Sequence, residues 1–267
     1  MARQLLIYES AIPVSIARHG QWSIVAGSGF QFSKAINSVP LMAVEFPNAS
    51  AEYPIVFAGS GENLVPAVVV GLRGDENLFL TGEGGWDARY VPAFIRRYPF
   101  VFSTSEDGNT FTLCIDESFP GFNQDGRGER LFAEDGKPTA YVERVLDFLK
   151  EYQLQFRRTQ LFCEKLAKLE LLEPMQAQVT TGAGEKSSLT GFMAVSREKL
   201  KGLSGEALAE LAKTDELELL YLHLQSMRNF NALKDRMSSA AAGRGTDPAA
   251  KGKGTKAQAR AEAAEGA

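Results

Sequence analysis

"TAYVERVLDFLKEYQLQFRRTQLFCEKLAKLELLEP", residues 139–174, is the stretch at which the pattern of this chain changes. Its hydrophobic residues recur at steps of three and four, which is the spacing of one buried face on an α-helix. These residues are Val142, Val145, Leu146, Leu149, Tyr152 and Phe156. Thr139 is a suitable N-cap, and Pro174 is expected to end the helix. The stretch therefore predicts one helix of about thirty residues.

The chain before this helix predicts short antiparallel strands. Segments rich in β-branched and aromatic residues alternate with Gly, Pro and Asn, a pattern typical of strands separated by turns. The candidates are "LLIY" (5–8), "WSIVA" (22–26), "LMAVEF" (41–46), "YPIVFA" (53–58), "PAVVVGL" (66–72), "NLFL" (77–80), "YPFVF" (98–102) and "FTLCID" (111–116). The segment "EDGNT" (106–110) suits a hairpin turn, because Asp-Gly and Gly-Asn tolerate positive φ.

The chain after the helix predicts a strand pair and further helices. "MQAQVT" (175–180) and "LTGFMAV" (189–195) read as strands joined by a polar turn. Two short helices follow, around "REKLKGL" and "SGEALAELAK". A third has apolar residues at helical spacing, namely Leu217, Leu220, Tyr221, Leu224 and Met227.

Together these elements predict an α+β protein. Residues 1–136 form a strand-rich antiparallel N-terminal part, and residues 137–236 form a helix-rich C-terminal part with a short strand pair. The two parts share one core or have two adjoining cores. Residues 237–267 are rich in Ala, Gly and Lys without apolar periodicity, which predicts a disordered basic tail.

Composition excludes several classes of protein. The chain has 267 residues and is 44% hydrophobic, as expected of a globular protein. Residues 1–233 carry 22 basic and 29 acidic side chains, so nucleic acid is not expected as the main partner. No apolar run is long enough to predict a membrane span. The N-terminus lacks a signal-peptide pattern, and Cys114 and Cys163 read as buried free thiols, so we expect a cytoplasmic protein.

The sequence contains few residues suited to catalysis or metal binding. Its two histidines are His19 and His223, and no Cys/His spacing matches a zinc site. No glycine-rich segment matches a phosphate loop or a dinucleotide fingerprint. We therefore expect no metal and no cofactor, and the sequence identifies no catalytic residue. An enzyme would need one of these histidines beside Glu45, Asp87 or Asp116.

The central segment "WDARYVPAFIRRYPFVF" (86–102) has six aromatic residues, three arginines and two prolines. It can be a scaffold: a short helix packed on the sheet, its arginines facing outward or paired with Glu45 and Asp116. It can also be a binding surface with aromatic anchors and cations, since these residue types dominate interface energetics. The candidate partner-binding residues are Trp86, Arg89, Tyr90, Arg96, Arg97 and Tyr98. A catalytic site is the third alternative.

Several uncommon motifs occur in one order along the chain. They include "SVPLMAVEFPNASAEYPIVF" (38–57), "WDARYVPAFIRRYPF" (86–100), "TQLFCEKLAKLELLEPMQAQV" (159–179) and "ELLYLHLQSM" (218–227). In these motifs the chain resembles the SapC family of bacterial proteins, over residues 5–233. The family name refers to an association with surface-layer proteins, not to an established reaction.

The resemblance implies a role in a bacterial surface, uptake or peptide-modification system. Genes of relatives often neighbour those of TonB-dependent receptors, tryptophan-halogenase-like flavoproteins and cupin-like proteins. We expect a non-catalytic accessory protein that binds a peptide or protein partner. The alternative is an oxygenase- or hydroxylase-like enzyme acting on peptides in such a pathway.

Overall fold

The computed structural model describes residues 6–27, 29–105, 110–180 and 186–244. Within these ranges the chain forms antiparallel sheets, one long central helix and a series of helices toward the C-terminus. The predicted α+β class is confirmed.

The longer α-helices lie in the C-terminal half of the described residues. In chain order the α-helices are α1 (Ile16–His19), α2 (Phe46–Ala49), α3 (Ala93–Arg96), α4 (Ala140–Lys168), α5 (Arg197–Lys201), α6 (Gly205–Lys213), α7 (Glu216–Ser226) and α8 (Asn229–Arg244). The strands are β1 (Ala11–Pro13), β2 (Ser23–Ile24), β3 (Ser38–Pro40), β4 (Ile55–Ala58), β5 (Val65–Val69), β6 (Phe100–Thr104), β7 (Phe111–Asp116), β8 (Phe122–Asn123), β9 (Glu129–Arg130), β10 (Leu172–Thr180) and β11 (Lys186–Val195).

The largest sheet joins the two predicted parts of the chain. Its strand order is β10-β11-β4-β5-β3, and the other two sheets have the orders β1-β7-β6 and β8-β2-β9. In the large sheet Phe192 of β11 pairs with Ala58 of β4, and Met193 pairs with Phe57. The C-terminal hairpin therefore completes a sheet whose other strands come from the N-terminal part.

The helix α4 connects two adjoining hydrophobic clusters. Val142 and Leu149 near its beginning belong to a smaller cluster with the β6–β7 sheet. Phe162 and Leu166 near its end belong to a larger cluster that includes β4, β5 and the C-terminal helices. The residue before the helix, Thr139, is extended and occupies the predicted N-cap position.

The predicted end of this helix at Pro174 is wrong. The helix ends at Lys168, and Glu170 then adopts a left-handed conformation with φ of 53°. The carbonyl of Leu171 accepts the N–H of Ser196 at 2.8 Å, which starts the pairing of β10 with β11. Pro174 lies inside β10, where it is tolerated because β10 is an edge strand.

The predicted strand over residues 41–46 is also wrong. A 3₁₀ turn at Ala43–Glu45 leads directly into α2. The turn forms because the Glu45 carboxylate accepts the N–H of Met42 at 2.8 Å. Pro47 in the first turn of α2 has no N–H that the helix would need to satisfy.

The three predicted C-terminal helices are present as α5, α6 and α7, and α8 follows them. Leu233 and Met237 of α8 are buried against the larger cluster. Because α8 extends to Arg244, residues 237–244 are helical, whereas the sequence predicted a disordered tail from residue 237. Residues 245–267 lie outside the described residues, as do the hairpin tip at 106–109 and the turn at 181–185.

The two cysteines are buried free thiols, as predicted from their apolar surroundings. Burial raises the pKa of Cys163 to about 12, so this thiol stays protonated. No helix within the described ranges has both the length and the apolar composition needed to cross a bilayer.

Candidate functional site

The side chain of Glu45 attaches the central segment to the core, and this residue is only 4% exposed. One oxygen accepts the hydroxyl of Tyr90 at 2.6 Å and the N–H of Ala93 at 2.7 Å. The other accepts the N–H of Met42 at 2.8 Å. Burial, and then the adjacent Glu45 carboxylate, raises the pKa of Tyr90, so its hydroxyl remains a donor. These bonds fix the position at which α3 begins.

The start of the segment is held by a chain of aromatic hydrogen bonds. The indole N–H of Trp86 donates to the hydroxyl of Tyr53 at 2.8 Å, and that hydroxyl donates to the carbonyl of Tyr90. The Trp86 ring stacks on Phe79 at 6.2 Å and meets the edge of Phe30 at 5.6 Å. Trp86 is therefore half-buried and already has a partner for its polar atom.

The main chain between these anchors is fixed by a second carboxylate. Glu52 accepts the N–H of Arg89 at 2.9 Å and the N–H of Tyr90 at 3.0 Å. Arg89 itself is exposed. Its backbone is thus ordered while its guanidinium remains accessible.

Arg97 lies inside the core, with 2% of its surface exposed. Its guanidinium carbon is 4.4 Å from the ring centre of Phe94, 4.8 Å from that of Tyr152 and 5.6 Å from that of Tyr8. Burial raises the pKa of Tyr152 to about 12, so the cation faces a neutral ring. Arg97 belongs to the packing of the segment and does not offer a guanidinium to the surface.

Arg96, the preceding residue, faces solvent. Its Nε donates to the carbonyl of Val91 at 3.0 Å. The guanidinium carbon lies 5.8 Å from the ring centre of Tyr90 and 5.4 Å from that of Phe148 on α4. These contacts hold the exposed side chain against the segment and α4.

Tyr98 closes the segment and is partly buried. Its ring stacks on Phe32 with centres 4.0 Å apart, and its hydroxyl donates to Asp116 at 3.3 Å. Burial, and then the Asp116 carboxylate, raises the pKa of Tyr98 to about 12. The buried Asp116 also accepts the N–H of Glu9 at 2.8 Å and the hydroxyl of Ser118 at 2.7 Å.

The central segment lies within the part of the chain that a family model recognises. A family model described as SapC matches residues 14–233 of the 267-residue chain. The chain belongs to the SapC family. The resemblance carried by the sequence motifs is confirmed, and the match contains the whole central segment. No curated protein and no solved structure gives a significant match to the chain.

In this SapC-family chain the six predicted binding residues separate into two groups. Arg89 and Arg96 are exposed, and both are held by contacts to their main chain or side chain. The other four form the frame beneath them, either buried or half-buried: Trp86, Tyr90, Arg97 and Tyr98. The structure brings all six together on one short segment but presents two guanidinium groups to solvent.

Arg236 of α8 is the residue at this site that sequence reasoning missed. It donates to the Asp87 carboxylate at 2.5 Å and to the Asp87 carbonyl at 2.9 Å. Its guanidinium carbon lies 4.2 Å from the ring centre of Phe79. The signal was present in the sequence, because Leu233 and Met237 continue a helical spacing around Arg236.

The two histidines of the SapC-family chain lie in different surroundings. His19 is buried beside Trp22, and its Nε2 donates to Glu117 at 2.8 Å because Nδ1 accepts the N–H of Ser15. His223 packs on Phe57 in the larger cluster. The structure therefore does not bring the histidines together.

Each histidine has a clear structural role. His223 accepts the N–H of Val195 at 3.0 Å, and burial lowers the pKa of His223 to about 4, so its ring is neutral. His19 shares Glu117 with Arg18, whose forked hydrogen bonds chiefly lower the pKa of Glu117 to about 2. Among the described residues, no group of three or more His, Cys, Asp and Glu side chains is arranged to hold a metal ion.

Proposed function

We propose that this SapC-family protein is a non-catalytic accessory protein that binds a peptide or protein partner through Arg89 and Arg96. The partner presents carboxylate groups, because guanidinium groups recognise carboxylates through paired, charge-assisted hydrogen bonds. The system it serves is a bacterial surface, uptake or peptide-modification system, as the family resemblance suggests. Its two buried thiols suit a reducing compartment such as the cytoplasm.

The observation that carries this proposal is the fixed orientation of Arg96. A free arginine loses side-chain entropy when it binds a partner, and this loss offsets part of the binding energy. Arg96 is already held by the Val91 carbonyl and by the rings of Tyr90 and Phe148. Less freedom therefore remains to be lost when the exposed Arg96 side chain meets a carboxylate.

The groups around the two arginines act by positioning. Glu52 binds the N–H groups of Arg89 and Tyr90, and Glu45 binds the N–H of Ala93. Trp86 anchors the start of the segment. This frame keeps the two exposed arginines on a rigid base, and rigid presentation favours specific binding.

The test is quantitative capture from a lysate of the source bacterium, with the full-length protein as bait and mass spectrometry as readout. The double variant Arg89→Ala/Arg96→Ala should capture its partner about tenfold less or worse, since interface arginines are often dominant contacts. Its melting temperature should stay close to that of the parent.

A matched control is the double variant Arg127→Ala/Arg197→Ala, which removes two other exposed arginines. This control should capture the partner as the parent does. Equal capture by the parent and the Arg89→Ala/Arg96→Ala variant, or no selective capture by the parent, contradicts the proposal.

A further inference from the structure

The outward face of α4 has two exposed leucines with two arginines between them. Leu154 is 47% exposed and Leu161 is 58% exposed, although leucine is among the residues most often buried. Arg157 and Arg158 are exposed as well. These four residues are spaced i, i+3, i+4 and i+7, so they form one stripe along the helix, which we call the α4 surface.

The two arginines of the α4 surface are not neutralised by other described residues. Neither has an acidic side chain within ion-pair distance in that part of the chain, whereas Lys150 on the same helix pairs with Asp147 at 3.1 Å. Residues 1–233 have 29 acidic against 22 basic side chains, so two adjacent arginines without an acidic partner stand out on this protein. Exposed guanidinium groups flanked by apolar side chains are suited to the carboxylates of a partner.

The shape of the α4 surface favours a helix as the partner. The backbone N–H and C=O groups in the middle of an α-helix are bonded within the helix, so α4 offers no backbone edge to which an extended peptide could add. Two helices instead pack through side chains that recur at steps of three, four and seven residues. Leu154 and Leu161, seven residues apart, match that repeat.

The charges of the α4 surface disfavour a second copy of this chain. Glu151 and Glu164 are exposed and lie one turn outside the two leucines. In an antiparallel pair about a two-fold axis, Arg157 of one copy faces Arg158 of the other, and Glu151 faces Glu164. In a parallel pair each of these groups faces its own counterpart. Like charges meet in both arrangements, so the complementary partner is a different helix with carboxylates at its centre.

An anionic lipid surface fits the α4 surface less well than an acidic helix does. Helices that bind membranes present a broad apolar face beside a polar face rich in Lys and Arg. The apolar part of the α4 surface is two leucines, and the acidic Glu151 and Glu164 border it. Anionic headgroups would also repel the excess of acidic side chains in residues 1–233.

We propose that the α4 surface binds an amphipathic helix of a partner protein. Carboxylates at the centre of that helix face Arg157 and Arg158, and its apolar residues pack against Leu154 and Leu161. This second surface does not depend on the binding role proposed for the central segment.

The test starts from a phage-displayed library of single-helix peptides with randomised outer faces, selected against the full-length protein. Enriched peptides should have apolar residues seven positions apart with Asp or Glu between them. The most enriched peptide is synthesised, and its dissociation constant is measured by fluorescence anisotropy at two salt concentrations. Binding should weaken several-fold at the higher salt, because salt screens ion pairs at an exposed surface.

Two double variants compare the α4 surface with other exposed cations. Arg157→Glu/Arg158→Glu should weaken peptide binding about tenfold or more, because it places like charges opposite the peptide. Arg144→Glu/Arg197→Glu makes the same change of charge at two exposed arginines elsewhere and should bind as the parent does. Because all four arginines are exposed, both variants should keep a melting temperature close to that of the parent.

A charge-swapped peptide separates direct contact from an indirect effect on folding. Replacing the central Asp and Glu residues of the peptide by Lys should weaken its binding to the parent and restore its binding to Arg157→Glu/Arg158→Glu. Leu154→Ala/Leu161→Ala should weaken binding of the original peptide several-fold, since it removes apolar contact area.

Four results overturn the proposal. The first is that no helical peptide is enriched, and the second is that folded Arg157→Glu/Arg158→Glu binds the enriched peptide as the parent does. The third is dimerisation in light scattering that this variant abolishes, which would assign the α4 surface to a second copy. The fourth is co-sedimentation with phosphatidylserine vesicles that the variant abolishes, which would assign it to lipid. Loss of peptide binding in Arg89→Ala/Arg96→Ala alone would instead assign the peptide to the central segment.

Discussion

Glu45 and Glu117 are two carboxylates that the protein holds differently. Glu45 is buried and bound by two backbone N–H groups and a tyrosine hydroxyl. Glu117 remains partly exposed and is bound by the fork of Arg18 and by His19. A buried carboxylate under a turn organises the main chain, whereas a partly exposed one pairs with a cation.

The largest expected effect follows from removing the buried carboxylate. Glu45→Ala leaves the N–H groups of Met42 and Ala93 and the hydroxyl of Tyr90 without their acceptor. We expect a loss of about 3–5 kcal/mol in the free energy of unfolding, measured by urea denaturation. Glu45→Gln keeps one oxygen and should lose less.

The rim carboxylate provides the contrast to this variant. Glu117→Ala should destabilise the protein less than Glu45→Ala near neutral pH, since its ion pair with Arg18 faces solvent. If Glu117→Ala is the more harmful of the two, the distinction between the turn and the rim is wrong.

A smaller effect is expected where α8 contacts the central segment. Arg236→Ala removes the bonds to Asp87 and the stacking on Phe79. We expect a loss of about 1–2 kcal/mol in unfolding free energy. Arg228→Ala, an exposed arginine just before the same helix, is the control and should stay close to the parent. Identical stability of the two variants would show that α8 does not support the segment.

The smallest effect concerns acid sensitivity at the rim. The pKa of Glu117 is lowered to about 2 in the folded protein, so the unfolded chain binds this proton more readily. The associated stability is present above the ordinary carboxyl pKa and is lost as the pH falls toward 2. Arg18→Ala should therefore flatten part of the decline in melting temperature below pH of about 4.

The control for this measurement is Arg127→Ala, which removes an exposed arginine beside Asp125. Its melting temperature should decline with acid as in the parent. If Arg18→Ala and the parent have parallel profiles, the Arg18 fork does not determine the pKa of Glu117.

Periodicity predicted the helices because one buried face imposes a spacing on the sequence. The residues from Val142 to Phe156 give that spacing for α4. Its end was mispredicted because Leu171 and Leu172 are needed by a sheet that forms with distant residues, and Pro174 is harmless at an edge. Local patterns do not contain such long-range pairing.

The candidate site was located by composition but its orientation was not. Aromatic and arginine residues marked the segment from Trp86 to Tyr98, yet the partners that orient it are backbone N–H groups and the distant residues Glu45, Glu52 and Arg236. A sequence read one residue at a time does not reveal which of two adjacent arginines turns inward.

Arg96 and Arg97 therefore provide the most direct test of the central claim, that the segment is a buried frame carrying an exposed cationic surface. The measurement is the unfolding free energy of Arg96→Ala and Arg97→Ala by urea denaturation under identical conditions. Arg97→Ala should lose about 2–4 kcal/mol because it empties a space between aromatic rings, and Arg96→Ala should lose about 1 kcal/mol or less. Equal losses, or a larger loss for Arg96→Ala, would contradict the account.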